Sequence, residues 1–311
     1  MRVIISGGGT SGHVNPAIEI AKVITKKNKN ARILFVGTKK GMESKLVPKE
    51  GFSIEYINVK GFKRKFSIEL FKTVWTLFKG IRQSKRLIRN FKPDIVIGTG
   101  GYVCGPVLFC ASRLKIPTLI HESNASPGIT NKILSRFVNT VAVSFDESAL
   151  LLKSAKKVVL TGNPVKNEML NIKKESARKN ISIGKDKKLI VIVGGSRGAE
   201  KINKASTEMI LSKFKDKSYD VIFSTGEKHF DEVSKKLSNC GENIKVKPYI
   251  YDSTNTYAAA DVMVCRAGAI TMSEITVLGI PAIIIPSPYV TANHQEHNAR
   301  ALEKNGAAIV I

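Results

Sequence analysis

MRVIISGGGTSGHVNPA, residues 1–17, reads as a strand, a glycine loop and the start of a helix. The β-branched run Val3, Ile4, Ile5 leads directly into Gly7-Gly8-Gly9-Thr10-Ser11-Gly12. From about Pro16 onward, Ala17, Ile18, Ile20, Ala21 and Ile24 keep to one side of a helix. In this arrangement, backbone N–H groups at a helix N-terminus face an anion. Gly7, Gly9 and Gly12 match G-x-G-x-x-G. A dinucleotide site would also need an acidic residue about 20 residues further on, at the end of the second strand. Here Ile33-Leu34-Phe35-Val36 runs into Gly37-Thr38-Lys39, with no carboxylate. The stretch therefore predicts an anion-binding α/β domain that does not take a nicotinamide cofactor. His13 places a titratable side chain beside the loop.

The 311 residues suit two domains. The composition is globular, 43% hydrophobic and 24% charged, and no apolar run approaches the roughly 18 residues of a membrane span. A basic n-region followed by an apolar h-region is absent, so no signal peptide is expected. Cys104, Cys110, Cys240 and Cys265 are scattered, without C-x-x-C spacing, which fits a reducing cytoplasm. The net charge of +25 would attract polyanions or an anionic lipid surface. It also fits a surface solvated with lysine, and the total alone does not choose between these.

Along the chain the same grammar recurs. A third strand is expected within residues 52–59 and a long helix from 68 to about 90. Strand 93–98 ends in Gly98-Thr99-Gly100-Gly101-Tyr102, and strand 116–120 runs into His121-Glu122-Ser123-Asn124. Polar clusters at the carboxyl ends of strands are where open α/β sheets bind ligands. Thr161-Gly162-Asn163-Pro164 breaks the pattern, which predicts domains of 1–163 and 164–311. The second half restarts at strand 189–193 with Gly194-Gly195-Ser196-Arg197-Gly198. It continues through strands at 219–223, 244–249, 262–265 and 280–285, with a helix from 271 to 278. The expected fold class is α/β: two Rossmann-like, doubly wound domains facing one another across a cleft.

The helix from residue 68 carries two apolar stripes. Leu70, Val74, Leu77 and Ile81 would face the sheet. Ile68, Phe71, Trp75 and Phe78 form a second stripe, offset by about 100°. Lys63, Arg64, Lys65, Lys72, Lys79, Arg82, Lys85, Arg86 and Arg89 surround it. Aromatics ringed by cations suit an anionic bilayer surface, the rings entering the headgroup boundary and the cations meeting phosphates. A crossover helix buried on two faces accounts for the same spacing.

Several chemistries are excluded by absence of their motifs. There is no G-x-x-x-x-G-K-[ST] for a P-loop ATPase and no D-x-D pair to hold a metal on a diphosphate. His294-Gln295-Glu296-His297 is not H-E-x-x-H and reads as a polar loop or helix start. What remains is an enzyme that handles a diphosphate leaving group with helix N-termini and backbone amides, with no metal and no cofactor. Two Rossmann-like domains used in that way suit a sugar-nucleotide glycosyltransferase of the GT-B architecture.

The motifs make the reading specific. In order they are Gly8-Gly9-Thr10-Ser11-Gly12-His13-Val14-Asn15-Pro16-Ala17; Gly100-Gly101-Tyr102-Val103 with Gly105-Pro106; His121-Glu122-Ser123-Asn124; Gly162-Asn163-Pro164-Val165; Gly194-Gly195-Ser196-Arg197-Gly198-Ala199; Arg266-Ala267-Gly268-Ala269-Ile270-Thr271-Met272-Ser273-Glu274; and His294-Gln295 before Asn298-Ala299. From end to end the chain resembles the MurG family, the N-acetylglucosaminyltransferases of peptidoglycan synthesis. The resemblance implies inverting transfer of GlcNAc from UDP-GlcNAc to the muramyl 4-hydroxyl of undecaprenyl-diphospho-MurNAc-pentapeptide (lipid I), giving lipid II. It implies a place on the cytoplasmic face of the bacterial cell membrane, with UDP-GlcNAc, lipid I and the anionic inner membrane surface as partners and no nucleic acid.

By the family pattern, Thr10, Ser11, Gly12 and Asn124 border the GlcNAc. Ser196 and Lys166 meet the diphosphate, and Ile250 lies at the uracil. Ala269, Ile270, Thr271, Met272, Ser273 and Glu274 wrap the nucleoside, with Glu274 accepting from the ribose hydroxyls; Gln295 reads the sugar hydroxyls. The acceptor's lipid requires a peripheral membrane site, which falls to the patch of Ile68, Phe71, Lys72, Trp75, Phe78 and Lys79. A single in-line displacement needs a base for the acceptor hydroxyl. His13 is the first candidate, at the sugar end of loop one, with His121 and Glu122 as alternatives; His13 could instead only bind donor or cap the helix.

The chain departs from the family in three places. Ser11 replaces a glycine, so the backbone there must tolerate a Cβ. Lys166 stands where arginine is common and supplies charge without a bidentate fork. Family members continue for several tens of residues past the counterpart of Gly306-Ala307-Ala308, so the C-terminal domain is expected to be incomplete relative to the family. Two other classes use comparable features. A UDP-sugar 2-epimerase shares the scaffold but would need acid/base carboxylates and no lipid-facing patch. A non-catalytic basic protein for nucleic acid or membrane would need aromatic stacking positions among its cations, and these are sparse outside residues 62–78.

Overall fold

The computed structural model describes residues 1–61, 68–195, 198–213, 218–290 and 293–311, with side chains of residues 68–74 excluded from the description. The chain divides into two compact units, Met1–Pro164 and Val165–Ile311.

The first unit is a seven-stranded sheet: β1 (Arg2–Gly7), β2 (Arg32–Gly37), β3 (Ser53–Tyr56), β4 (Ile95–Gly100), β5 (Thr118–Glu122), β6 (Thr140–Val143) and β7 (Val158–Leu160). Its order is β3-β2-β1-β4-β5-β6-β7, and its paired strands run parallel. Connecting them are α1 (Ser11–Lys27), α2 (Glu43–Lys49), α3 (Ile68–Phe91), α4 (Cys104–Arg113), α5 (Ile129–Leu134) and α6 (Asp146–Leu150). Helices cover both faces, so the central strand is apolar on both sides. In β1, Val3 and Ile5 join the cluster under α1 while Ile4 joins the cluster on the opposite face, as the two-residue period of a strand requires.

The second unit repeats the plan. Its strands are β8 (Lys188–Val193), β9 (Tyr219–Ser224), β10 (Ile244–Lys247), β11 (Val262–Cys265), β12 (Ala282–Ile284) and β13 (Ala308–Val310), ordered β10-β9-β8-β11-β12-β13. Its helices are α7 (Lys174–Asn180), α8 (Glu200–Lys213), α9 (Glu227–Leu237), α10 (Ser253–Ala258), α11 (Ala269–Leu278) and α12 (His294–Lys304). In β8, Leu189 and Val191 face one cluster and Ile192 the other. Asp261 ties α7 to this sheet: burial pushes its carboxyl up, but Lys174, the Leu189 N–H and Arg178 outweigh it and hold it down at about 2.

In each sheet the strand order reverses at one point, between β1 and β4 and between β8 and β11. There neighbouring loops leave in opposite directions and open a crevice at the carboxyl edge. The motif loops Gly7–His13 and Gly100–Tyr102 flank the first such point, and Gly194–Gly198 and Arg266–Gly268 the second.

The first helix begins at Ser11, five residues before the expected start at Pro16. Thr10 is extended (φ −133°, ψ 157°) and its carbonyl accepts from the N–H groups of His13 and Val14, which closes the first turn. Pro16 sits inside the helix, where it cannot donate back to Gly12. The third strand is limited to Ser53–Tyr56. The eleventh helix starts at Ala269 rather than Thr271, so residues expected in a loop occupy a helix N-terminus.

Candidate functional site

At the edge of the first unit, β1 and β4 pair in register up to Ser6 with Gly98, and then Gly7 pairs with Gly100. Thr99 is the extra residue of this bulge, and bulges re-aim side chains. Both of its polar groups address His13: the Thr99 hydroxyl donates to the His13 carbonyl at 2.7 Å, and the Thr99 carbonyl lies 3.0 Å from His13 Nδ1. A carbonyl only accepts, so Nδ1 carries the proton in the neutral ring and Nε2 bears the lone pair. A Cβ on Gly100 (φ +106°) would stand 2.6 Å from Nδ1, so the glycine leaves the ring its place. Gly101 (φ +85°) packs against the Gly8 carbonyl, where a Cβ would approach to 2.3 Å. Thr10 and Gly12 are exposed and Ser11 half-buried at the start of α1. Ser11 has no positive φ, so its Cβ is accommodated without backbone strain.

His121 and Glu122 lie at the end of β5 and are buried. His121 Nε2 is 3.2 Å from the Gly162 carbonyl and 3.2 Å from the Ser144 hydroxyl, and Nδ1 is 3.5 Å from Ser123 Oγ. Burial lowers its pKa, which the Gly162 carbonyl and the charge of Glu122 oppose. Glu122 accepts from the Asn124 N–H and side-chain amide through Oε1, and from the Gly128 N–H and Asn131 Nδ2 through Oε2. Glu122 thereby orients Asn124 at the same edge.

One residue that sequence reasoning did not single out belongs to this edge. Glu43, the first residue of α2, is fully buried. Its Oε2 accepts from the Gly9 N–H at 3.0 Å, and its Oε1 from the Thr38 N–H and hydroxyl at 2.9 and 2.8 Å. The sequence signal for it is a lone acid preceded by glycines at 37 and 41.

At the edge of the second unit, Gly195 (φ +87°) and Gly198 (φ +74°) shape the loop after β8. A Cβ on Gly198 would stand 2.1 Å from the Thr225 carbonyl, which also accepts from Asn203 Nδ2 at 2.9 Å. Ser196 lies outside the described residues. Lys166 Nζ donates to Ser253 Oγ at 2.8 Å, bringing the lysine to the loop that carries Ile250. Ala269, Ile270, Thr271, Met272, Ser273 and Glu274 form the first turns of α11, beside which a negative group is stabilised by the helix dipole. Met272 is in the core, so only its backbone faces the edge, and Ser273 Oγ donates to the Ala269 carbonyl. Glu274 is close enough that its charge, after burial, raises the pKa of Tyr249 and Tyr257 and helps push the Cys265 thiol up to about 12. Gln295, in the first turn of α12, accepts from the Ser287 N–H at 2.8 Å. Lys166, Ile250 and Glu274 thus gather at one edge, and His13 and Asn124 belong to the other unit.

The outer face of α3 is uncovered. Trp75 and Phe78 are 71% and 66% exposed, and Lys79, Arg82, Lys85, Arg86 and Arg89 are exposed with them. Lys79 Nζ lies 6.0 Å from the centre of the Trp75 ring. The opposite face, with Ile81 and Ile88, packs on the core. Burial of the helix on both stripes therefore does not hold at Trp75 and Phe78. The side chains of Ile68, Phe71 and Lys72 lie outside the described residues. Among the described residues no helix is long and apolar enough to cross a membrane, and no group of three His, Cys, Asp or Glu is placed to hold a metal ion.

Two parallel-sheet units in Rossmann order, each with glycine loops at its switch point, are the fold of the GT-B class. The family models for the glycosyltransferase family 28 N-terminal and C-terminal domains match residues 3–143 and 189–311, and the chain belongs to that family. It is 57% identical over 312 residues to a UDP-N-acetylglucosamine–N-acetylmuramyl-(pentapeptide) pyrophosphoryl-undecaprenol N-acetylglucosamine transferase of Acetivibrio thermocellus, covering 100% of this chain and 85% of that protein. An enzyme of the same name from Bacillus pumilus is 49% identical over 313 residues, again covering 100% and 85%. The crystal structure of Acinetobacter baumannii MurG superposes with a TM-score of 0.78 at 28% identity, over 100% of this chain and 85% of that one. A UDP-GlcNAc 2-epimerase from Neisseria meningitidis gives a TM-score of 0.67 at 17% identity, over 99% and 87%, a likeness of fold alone.

Proposed function

We infer that this protein transfers GlcNAc from UDP-GlcNAc to the MurNAc 4-hydroxyl of undecaprenyl-diphospho-MurNAc-pentapeptide, with inversion, forming lipid II. The observation that carries this reading is the 57% identity, over the whole chain, to an enzyme named for that transfer. In the reaction the acceptor oxygen attacks C1 of the GlcNAc, the bond from C1 to the diphosphate oxygen breaks, and UDP leaves with the electron pair. His13 Nε2 takes the hydroxyl proton. Supporting this choice, the Thr99 carbonyl fixes the tautomer that leaves Nε2 basic, whereas His121 and Glu122 are buried and engaged by neighbours. Thr10, Ser11, Gly12 and Asn124 border the sugar. Lys166 and Ser196 meet the diphosphate, Ile250 the uracil, residues 269–274 the nucleoside and Gln295 the sugar hydroxyls. Purified protein, UDP-GlcNAc and a short-chain lipid I analogue, without added metal, are expected to give disaccharide and UDP. No disaccharide, or epimerised sugar from UDP-GlcNAc alone, would overturn the reading.

The lipid acceptor places the protein at the cytoplasmic face of the cell membrane, held by the outer face of α3. Its exposed aromatics among cations match a headgroup boundary. Replacing Trp75 and Phe78 together by glutamate is expected to reduce binding to anionic vesicles at least about tenfold, since roughly 1 kcal/mol accompanies each charge near such a surface and the apolar area is lost as well. Turnover of a water-soluble acceptor should stay at the wild-type level. Unchanged vesicle binding by co-sedimentation would remove the patch from this role.

A further inference from the structure

Glu43 has no place in the reaction just described, yet three loops are shaped around it. A Cβ on Gly8 would stand 2.6 Å from Glu43 Oε1; one on Gly37, 2.5 Å from Cγ; one on Gly41, 2.1 Å from Oε2. Burying a carboxylate is unfavourable unless each oxygen is satisfied. Here both are, by Gly9 and by Thr38, whose hydroxyl also lies 3.4 Å from the Tyr102 hydroxyl. The Gly9 amide belongs to the glycine loop of the first unit, where a Rossmann-type fold offers its N–H groups to a phosphate. At the counterpart of Gly9 in the second unit, Gly195, with the same φ of +87°, a Cβ would meet nothing within 4 Å.

We propose that Glu43 is a specificity and positioning residue: its carboxylate occupies the loop-one amide that a diphosphate would take. It thereby denies that loop to the donor's diphosphate and holds Gly9 and the start of α1 in place beside His13. The two glycine loops are alike in sequence, and the first holds an internal anion at the Gly9 N–H. The kinetic part of this rests on the transfer reaction proposed above; the anion-binding part does not.

The test is Glu43→Gln. The two Thr38 donors retain the amide oxygen, which turns the NH₂ toward the Gly9 N–H, donor against donor, so the variant keeps its size and loses the acceptor. Inorganic pyrophosphate titrated by calorimetry is expected to show one UDP-displaceable site in wild type and, in the variant, a second site that UDP does not displace. In the transfer assay kcat should fall about 10²-fold, the loss that a misplaced catalytic group produces. The KM for UDP-GlcNAc should stay within about twofold, as for a group that does not bind donor. A folded variant with no second pyrophosphate site overturns the proposal, as does one whose kcat is unchanged. If Glu43→Gln does not fold, Thr38→Val removes the hydroxyl that helps hold Oε1 and so loosens the carboxylate at the Gly9 N–H. It should raise pyrophosphate affinity and lower kcat several-fold, and wild-type behaviour of Thr38→Val overturns the proposal too. If wild type makes no disaccharide, the reaction is wrong, while the pyrophosphate stoichiometry still judges Glu43.

Discussion

His13→Ala is expected to lower kcat by about 10²- to 10⁴-fold, the usual worth of a positioned general base, while UDP-GlcNAc binding measured by calorimetry stays within about twofold. The expectation rests on one contact. The Thr99 carbonyl at 3.0 Å can only accept, so Nδ1 is the protonated nitrogen and Nε2 the basic one. His13→Asn separates this from a purely positional role. An asparagine amide can still donate toward the Thr99 carbonyl but has no basic nitrogen, so it should be as inactive as alanine. Activity retained in either variant would remove His13 as the base and return the choice to His121 and Glu122.

Gly198→Ala should damage the second unit as strongly. At φ +74° a side chain costs about 1–2 kcal/mol of backbone strain. The Cβ would also stand 2.1 Å from the Thr225 carbonyl, a backbone atom that cannot swing aside, and overpacking of that kind costs about 1–3 kcal/mol. Together they predict a loss of roughly 2–5 kcal/mol in denaturant unfolding and a UDP-induced stabilisation much smaller than in wild type. A variant with the wild-type unfolding midpoint and UDP response would contradict the reading of this loop as held against the β9–α9 turn.

Much of the fold was legible because its signals are local. The unbroken apolar, mostly β-branched runs Val3, Ile4, Ile5 and residues 189–193, followed each time by glycines, mark a buried strand and a turn. The glycines at 9, 100, 101, 195 and 198 adopt positive φ, a conformation that glycine takes without steric cost. The strand order, with the reversals beside β1 and β8, was not in any local pattern, and it decides which loops share an edge. Helical spacing gave α3 two apolar stripes but could not say which was covered. Only packing of Ile81 and Ile88 on the core leaves Trp75 and Phe78 outside.

The first seventeen residues were enough to determine a glycine loop joining a buried strand to a helix, with His13 beside it. Tertiary structure decided what that loop's polar groups do. Glu43, 34 residues from Gly9, takes the loop's amide, and Thr99, 86 residues from His13, sets the tautomer of its ring. Spacing along a chain encodes period and backbone freedom; a hydrogen bond depends on where the sheet brings distant residues together, and that is decided only when the strands assemble.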